Sequence, residues 1–216
     1  MSFTVLDVGC RGGPPDAWLP IPDLRIIGFD VDGRECKRLI SLYPQFTFVT
    51  CALGSKAGEG CFYLAQDTSS SSFYPPREEV LSSYKVVDAW DKVPIRTLDS
   101  FAQEYFPTGA DFLKLDAQGY ELEILWGSVE TLKSVVLVQA EVEFNPLYQG
   151  QPLFGEVDAF LRAQGFELWD FRQITHYGRG QLYWADAYYV PKPLRDFDKT
   201  QVIMHALEFN KFFEAA

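Results

Sequence analysis

Five places in the 216-residue chain gather residue types that can do chemistry. Asp7 precedes a glycine-rich turn, Gly9-Cys10-Arg11-Gly12-Gly13, and Asp30 closes the run Arg25-Ile26-Ile27-Gly28-Phe29. Ala52 and Leu53 follow Cys51, Asp116 closes Asp111-Phe112-Leu113-Lys114-Leu115, and Glu141 sits near the end of the apolar run 135–142. Carboxylates accept hydrogen bonds from hydroxyl pairs, attract cations, and take up protons where their pKa is raised. A glycine-rich turn lets backbone approach a bound molecule that side chains would hold off. Glu121 is a further acid next to Asp116, and His176, beside Gly178-Arg179-Gly180, has the intrinsic pKa of a proton carrier. Each has a plainer explanation: glycines make tight turns, Asp30 and Asp116 cap helices, and a loop histidine is merely solvated. Their recurrence at successive strand ends is what points to a site.

The elements that must position these residues follow from hydrophobic periodicity. Residues 3–8, 25–30, 46–51, 111–116 and 135–142 read as buried strands, the last the most apolar and therefore central. Pro14, Pro15, Pro20 and Pro22 leave room after the first turn only for a short turn around Asp16-Ala17-Trp18. Helices are predicted over 33–43, with Cys36, Leu39, Ile40 and Tyr43 inward, and over 98–106, with Thr97 as N-cap and Pro107 beyond. One helix is predicted over 121–132, with Leu122, Leu125, Val129 and Leu132 inward, and another over 155–164, stopped by Gly165. Three glycines in 54–60 followed by the extended 61–64 suggest a strand pair appended to the main sheet, 89–97 reads as extended, and 167–171 with 182–190 suit an antiparallel pair at the sheet's edge. The irregular stretch 66–76, with Ser69-Ser70-Ser71-Ser72 and Pro75-Pro76, is either a solvated loop or a lid. A closing helix over 200–213 would turn Ile203, Leu207 and Phe213 inward, giving one domain over 1–195 with the helix of 196–216 packed on it. Strands alternating with helices make a doubly wound α/β sheet, whose ligands sit at the carboxyl ends of the strands.

Composition narrows the function classes. Apolar residues at 47% and charged residues at 23% are ordinary globular values. Nineteen Lys and Arg against thirty Asp and Glu give a net charge of −11, which repels a polyphosphate backbone, so no nucleic-acid partner is expected. No apolar run is long enough for a membrane span and no signal peptide opens the chain, so a cytoplasmic protein with no membrane partner is expected. Cys10, Cys36, Cys51 and Cys61 match no zinc spacing and only two histidines are present, so no metal is expected.

Two ligand classes use this layout. Dinucleotide enzymes carry GxGxxG, but Arg11 occupies the second glycine's place, which disfavours an oxidoreductase. S-adenosylmethionine has no phosphate and carries an ammonium and a sulfonium, for which acids beside the turn are favourable; Asp30 can accept both ribose hydroxyls. The run Val5-Leu6-Asp7-Val8-Gly9-Cys10-Arg11-Gly12-Gly13 with Ile27-Gly28-Phe29-Asp30 resembles the opening of FkbM-type S-adenosylmethionine-dependent methyltransferases. The resemblance strengthens at Val93-Pro94-Ile95-Arg96-Thr97-Leu98-Asp99 and at Asp111-Phe112-Leu113-Lys114-Leu115-Asp116-Ala117-Gln118-Gly119-Tyr120-Glu121. It continues through Glu141-Val142-Glu143-Phe144-Asn145-Pro146-Leu147-Tyr148 and covers roughly residues 3–190.

The resemblance implies a Rossmann-like class I methyltransferase fold, a seven-stranded, mostly parallel sheet with an antiparallel last strand and helices on both faces. It implies methyl transfer to a hydroxyl oxygen of a sugar, glycan or small metabolite. Asp7, Gly9, Cys10, Arg11, Gly12 and Gly13 would hold the methionine part, Asp30 the ribose, and Val31, Ala52 and Leu53 the adenine, with Asp116 beside the methyl group. An alcohol needs a base to take its proton; among Asp116, Glu121, Glu141 and His176, Asp116 and Glu141 are favoured by their place at central strands. Tyr148, Tyr177, Trp184 and Tyr188 would either stack on the acceptor or fill the core. The chain departs from the family pattern in its proline-rich stretch after Gly13 and in beginning directly at the first strand. The 66–76 loop or a second subunit of a homodimer is then expected to complete the pocket. The alternative function is a binding or scaffold domain that keeps the fold without catalysis.

Overall fold

The computed structural model describes residues 2–77 and 84–209. The strands are β1 Phe3–Val8, β2 Leu24–Asp30, β3 Thr47–Thr50, β4 Ala52–Leu53, β5 Gly58–Ala65, β6 Val86–Arg96, β7 Phe112–Leu115, β8 Leu137–Glu143, β9 Phe166–Tyr177 and β10 Gln181–Pro191. The helices are α1 Gly33–Leu42, α2 Ala102–Tyr105, α3 Glu121–Trp126, α4 Val129–Leu132, α5 Phe154–Ala163 and α6 Phe197–Ala206. Seven strands form one sheet in the order β3-β2-β1-β7-β8-β10-β9. Its first five strands run parallel, β10 is antiparallel to β8, and β9 is antiparallel to β10. The apolar runs become parallel strands because both of their faces are covered.

One face carries Leu6, Phe29, Leu113, Val138, Ala140 and Tyr189, packed under Leu122 and Leu125 of α3, Leu132 of α4 and Leu161 of α5. The other carries Phe3, Val5, Ile26, Phe112 and Tyr188, and Trp18, Ile21 and α6 cover it through Ile203 and Met204. Trp18 meets Phe112 edge-on at 5.3 Å, so the proline-rich stretch covers the sheet with one large ring where a helix could not form. α6 starts at 197, capped by Asp196, whose carboxylate accepts from the Lys199 N–H. Phe213 lies outside the described residues.

Three expectations need correction. The appended strand pair is part of a separate three-stranded sheet, β4-β6-β5. Ile95 of β6 lies so close to Gly54 and Gly60 that a Cβ on either would come within 2.9 Å of it, and these two glycines let the small sheet close around that side chain. The helix over 121–132 breaks at Gly127-Ser128: Gly127 is pressed against the Gly54 carbonyl, where no Cβ fits, and Asp99 caps α4 by accepting from the Glu130 and Thr131 N–H groups. Ile40 points outward at 46% exposure, because α1 covers only the β2–β3 side of the sheet and needs just Cys36 and Leu39 for that.

Candidate active site

A cavity of about 450 Å3 opens at the carboxyl ends of β1, β2, β7 and β8. Gly9 and Arg11 enter it after β1, Asp30 and Val31 at the end of β2, Leu53 from β4, Asp116 and Gln118 after β7, and Glu141 from β8. Residues 67–71 roof it, and Tyr84, Tyr177 and Trp184 form an aromatic wall beside Glu141.

Gly9 is where the loop geometry is decided. Its φ is +75°, and a Cβ there would overlap the carbonyl oxygen of Asp116, whose own N–H donates to the Val8 carbonyl at 3.0 Å. The β1 turn and the β7 turn are thereby held in contact. Beneath them the Lys114 ammonium lies 3.1 Å from Asp7 Oδ1, 3.6 Å from Asp116 Oδ2 and 3.5 Å from the Gly9 carbonyl. Burial works against the ammonium's charge, but Asp7 and Asp116 outweigh it and hold the Lys114 pKa above the usual lysine range. Removing one partner of such a buried pair typically costs about 3–5 kcal/mol, since the other charge is left uncompensated.

Several predicted ligand residues therefore turn out to build the loop and do not line the cavity. Asp7 is buried and faces Lys114. Cys10 packs with Cys36, Leu39 and Phe48. The Gly12 N–H donates to Glu35 Oε1 at 2.9 Å, and Gly13 lies against Tyr43 and Leu39, which fastens the loop to α1. Ala52 is buried in β4. His176 belongs to β9, paired with Leu182 and exposed, and strand alternation turns the next residue, Tyr177, into the cavity in its place. Tyr148 is buried and Tyr188 packs against Phe209 farther along β10, in the core under α6, so of the four aromatic candidates only Tyr177 and Trp184 line the cavity, 5.1 Å apart at 49°.

Around Asp30 the contacts are short. Its Oδ1 accepts from the Asp32 N–H at 2.7 Å, and Arg11 lies 3.9 Å away. Arg11 also donates to Asp32 Oδ2 and to Thr68 Oγ1, each at 3.3 Å, and so spans from the loop to the roof. The roof is pinned elsewhere too: the Tyr148 hydroxyl donates to the Ser70 carbonyl at 2.9 Å, and the Ser72 hydroxyl to the Gln118 carbonyl at 2.7 Å. Ser70, Ser71 and Ser72 are buried, so the serine run is a cover and not a solvated loop.

The acids at the other end are strongly perturbed. Burial, then the charges of Asp116 and Glu143, push the Glu141 carboxyl well above the usual glutamate range. Glu121 does not line the cavity; its Oε1 accepts from the Ala117 N–H at 2.6 Å and braces the turn after β7. Burial pushes Glu121 up to about 7, and burial with the Asp116 charge pushes Asp186 up to about 6. Between pH 4.5 and 7 the folded chain therefore keeps protons that the unfolded chain has released, so stability falls as pH rises through that window. The melting temperature is expected to be several degrees lower at pH 8 than at pH 5.5, and Glu121→Gln should flatten the slope. A melting temperature that is constant or rises with pH would contradict this charge assignment.

A family model described as methyltransferase FkbM domain matches residues 22–168, more than half of the chain. The chain belongs to the FkbM methyltransferase domain family. The 2-O-methyltransferase NoeI of Sinorhizobium fredii (strain NBRC 101917 / NGR234) is 26% identical over 162 residues, which span 68% of this chain and 66% of that relative. Among solved structures, the fibrillarin pre-rRNA processing protein of Methanococcus jannaschii is 11% identical and superposes with a TM-score of 0.50, covering 88% of this chain and 66% of that one. Magnesium protoporphyrin IX methyltransferase of Synechocystis PCC 6803, with bound SAM, is 14% identical, with a TM-score of 0.46 over 88% of this chain and 70% of that one. The sheet order with antiparallel β10 is the Rossmann-like class I methyltransferase arrangement.

Lys114 and Gln118 are among the residues of this FkbM site that escaped sequence reasoning, as is Tyr84 of the aromatic wall. Lys114 carried a signal, a lysine inside the apolar run Phe112-Leu113-Lys114-Leu115, where an unpaired charge is not tolerated. Gln118 carried none, because its importance depends on Glu141, 23 residues away in the chain. Among the described residues no cluster of His, Cys, Asp and Glu is arranged to hold a metal ion, and no helix is long and apolar enough to cross a membrane.

Proposed function

We propose that the protein transfers the methyl group of S-adenosylmethionine to a hydroxyl oxygen of a sugar, glycan or other small hydroxylated metabolite. The observation that carries this reading is a single cavity with two chemically distinct ends. At one, Asp30 stands among Phe29, Val31 and Leu53; at the other, Asp116 and Glu141 face Tyr177 and Trp184. The first end fits a nucleoside, with a carboxylate to accept from two ribose hydroxyls and apolar side chains for a purine. The volume lies in the range of small-molecule sites, and the acids suit a ligand that is a cation.

When bound, S-adenosylmethionine supplies a methyl carbon on a sulfonium, already a good leaving group. This chain's residues must then orient, exclude water and move one proton. Asp30 fixes the ribose, and the 67–71 roof keeps water out of the reacting end. An alcohol has a pKa near ~16, so Glu141 takes its proton as the oxygen forms its bond to the methyl carbon and the carbon–sulfur bond breaks. The thioether product leaves neutral, and Glu141 later returns the proton to solvent. Tyr177 and Trp184 offer the acceptor flat stacking surfaces. A cytoplasmic setting is part of this proposal, supported by four free cysteines, which persist in reducing compartments.

Calorimetry with S-adenosylmethionine and S-adenosylhomocysteine tests the first step. One-to-one binding is expected, weakened about tenfold or more by Asp30→Ala, which removes hydrogen bonds to a charged acceptor. No heat at millimolar ligand would sink the proposal and favour a scaffold domain. Methyl incorporation into a panel of hydroxylated acceptors tests the second step.

A further inference from the structure

Gln118 occupies a conformation that only strong local constraints maintain. Its φ is +55°, in the left-handed region, and Gly119 follows at +87°. Its side-chain amide is held at both ends: Nε2 donates to Asp116 Oδ1 at 3.0 Å and to Glu141 Oε2 at 2.7 Å, while Oε1 lies 3.0 Å from the Tyr148 hydroxyl, whose single hydrogen it shares with the Ser70 carbonyl. Only the NH2 side of an amide can face two carboxylates, so this orientation follows from the chemistry. Its backbone carbonyl holds Ser72 of the covering stretch.

We propose that Gln118 is the positioning residue of the methyl-transfer site: its amide parts Asp116 from Glu141, so that Glu141 Oε1 is the oxygen left to meet the acceptor hydroxyl. The proposal rests on the methyl-transfer reading above. One NH2 group has two hydrogens, and here each carboxylate receives one. Asp116 has a second neutralising partner, since its Oδ2 lies 3.6 Å from Lys114. Among the described residues Glu141 has no cation partner and its Oε1 has no hydrogen-bond partner, so that oxygen is left free to accept. The groups that face it are Asp116 after β7, Glu143 on its own strand, Glu121 of α3 and Asp186 of β10, all acids, with Tyr84 and Tyr148 beside them and Lys114 beyond Asp116. Against this field of negative charge, the Gln118 amide is the donor that keeps the Glu141 carboxylate in place and accessible to ionisation.

Carboxyl 13C NMR of the full chain, labelled at glutamate and free of ligand, tests this directly. The Glu141 signal is identified by its loss in Glu141→Gln. Gln118→Met removes both donors at similar length and is expected to move the Glu141 titration midpoint upward by about one pH unit or more, because the charged form loses its hydrogen bond. Gln118→Glu is expected to move it in the same direction through a third carboxylate. A midpoint that shifts by less than about half a pH unit in folded Gln118→Met overturns the proposal, since a residue that only fills space would not change it. If that variant does not fold, by circular dichroism, the same criterion applied to Gln118→Glu decides. The titration needs neither donor nor acceptor, so its failure leaves the methyl-transfer reading intact, and failure of S-adenosylmethionine binding leaves the titration intact.

Discussion

Glu141→Gln is expected to lower the rate of methyl transfer by about 10²–10⁴-fold while leaving S-adenosylhomocysteine affinity unchanged. The amide keeps the size and the contact with Gln118, but it cannot take a proton at neutral pH. The same substitution should act on stability in the opposite direction. Burial and the Asp116 charge disfavour the ionised carboxylate, so the folded chain is strained by it once the pH exceeds the raised pKa, and a neutral amide removes that penalty. A variant that is nearly inactive yet melts at the same or a higher temperature at pH 8 is thus the expected result. Turnover within about tenfold of the parent would remove Glu141 from the role of base. Asp116→Asn would then be the next test.

Gly9→Ala is expected to be the most damaging single methyl addition in the chain. It carries two penalties: a left-handed φ of +75°, which costs an alanine about 1–2 kcal/mol, and overlap with the Asp116 carbonyl oxygen. The overlap cannot be relieved by moving the two turns apart, because the Asp116 N–H is hydrogen-bonded to Val8 at the end of the same ladder. A loss of about 3–5 kcal/mol, roughly 10 °C or more in melting temperature, is expected, together with loss of cofactor binding. Gly12→Ala is the internal control: φ there is +88°, but no atom lies within 4 Å of the added methyl. It should cost only the backbone term. Equal losses in the two variants would show that the contact with Asp116 is not what demands a glycine.

Much of the fold was legible because parallel strands buried on both faces leave continuous apolar runs, and the acids that interrupt those runs mark their carboxyl ends. Asp30, Asp116 and Glu141 were found that way. The glycine turn was harder to read, since nothing in Gly9-Cys10-Arg11-Gly12-Gly13 says which side of it faces the cavity. Gly9 and Arg11 do, while Cys10, Gly12 and Gly13 face α1. Asp7 was read as an acid waiting for a cation, and it does hold one, the chain's own Lys114. Trp184 and Tyr188 share a face of β10, yet four residues of strand, about 13 Å, separate the cavity from the core under α6. The break at Gly127 depends on Gly54, far away in sequence, and periodicity within one helix carries no trace of it.

β8 has a consequence of another kind. Val138, Ala140 and Val142 belong to the core under the helices, whereas Gln139, Glu141 and Glu143 project from the opposite face of the same strand. Residues 138–143 thus encode two messages in alternate letters, one for the core under the helices and one for the polar groups that bring Glu141 to the cavity. Selection can rewrite the second without touching the first, so acceptor preference is free to diverge between descendants of this chain while their shared core stays legible. A one-residue insertion or deletion is different: it exchanges the two messages at once and leaves no intermediate that both folds and works.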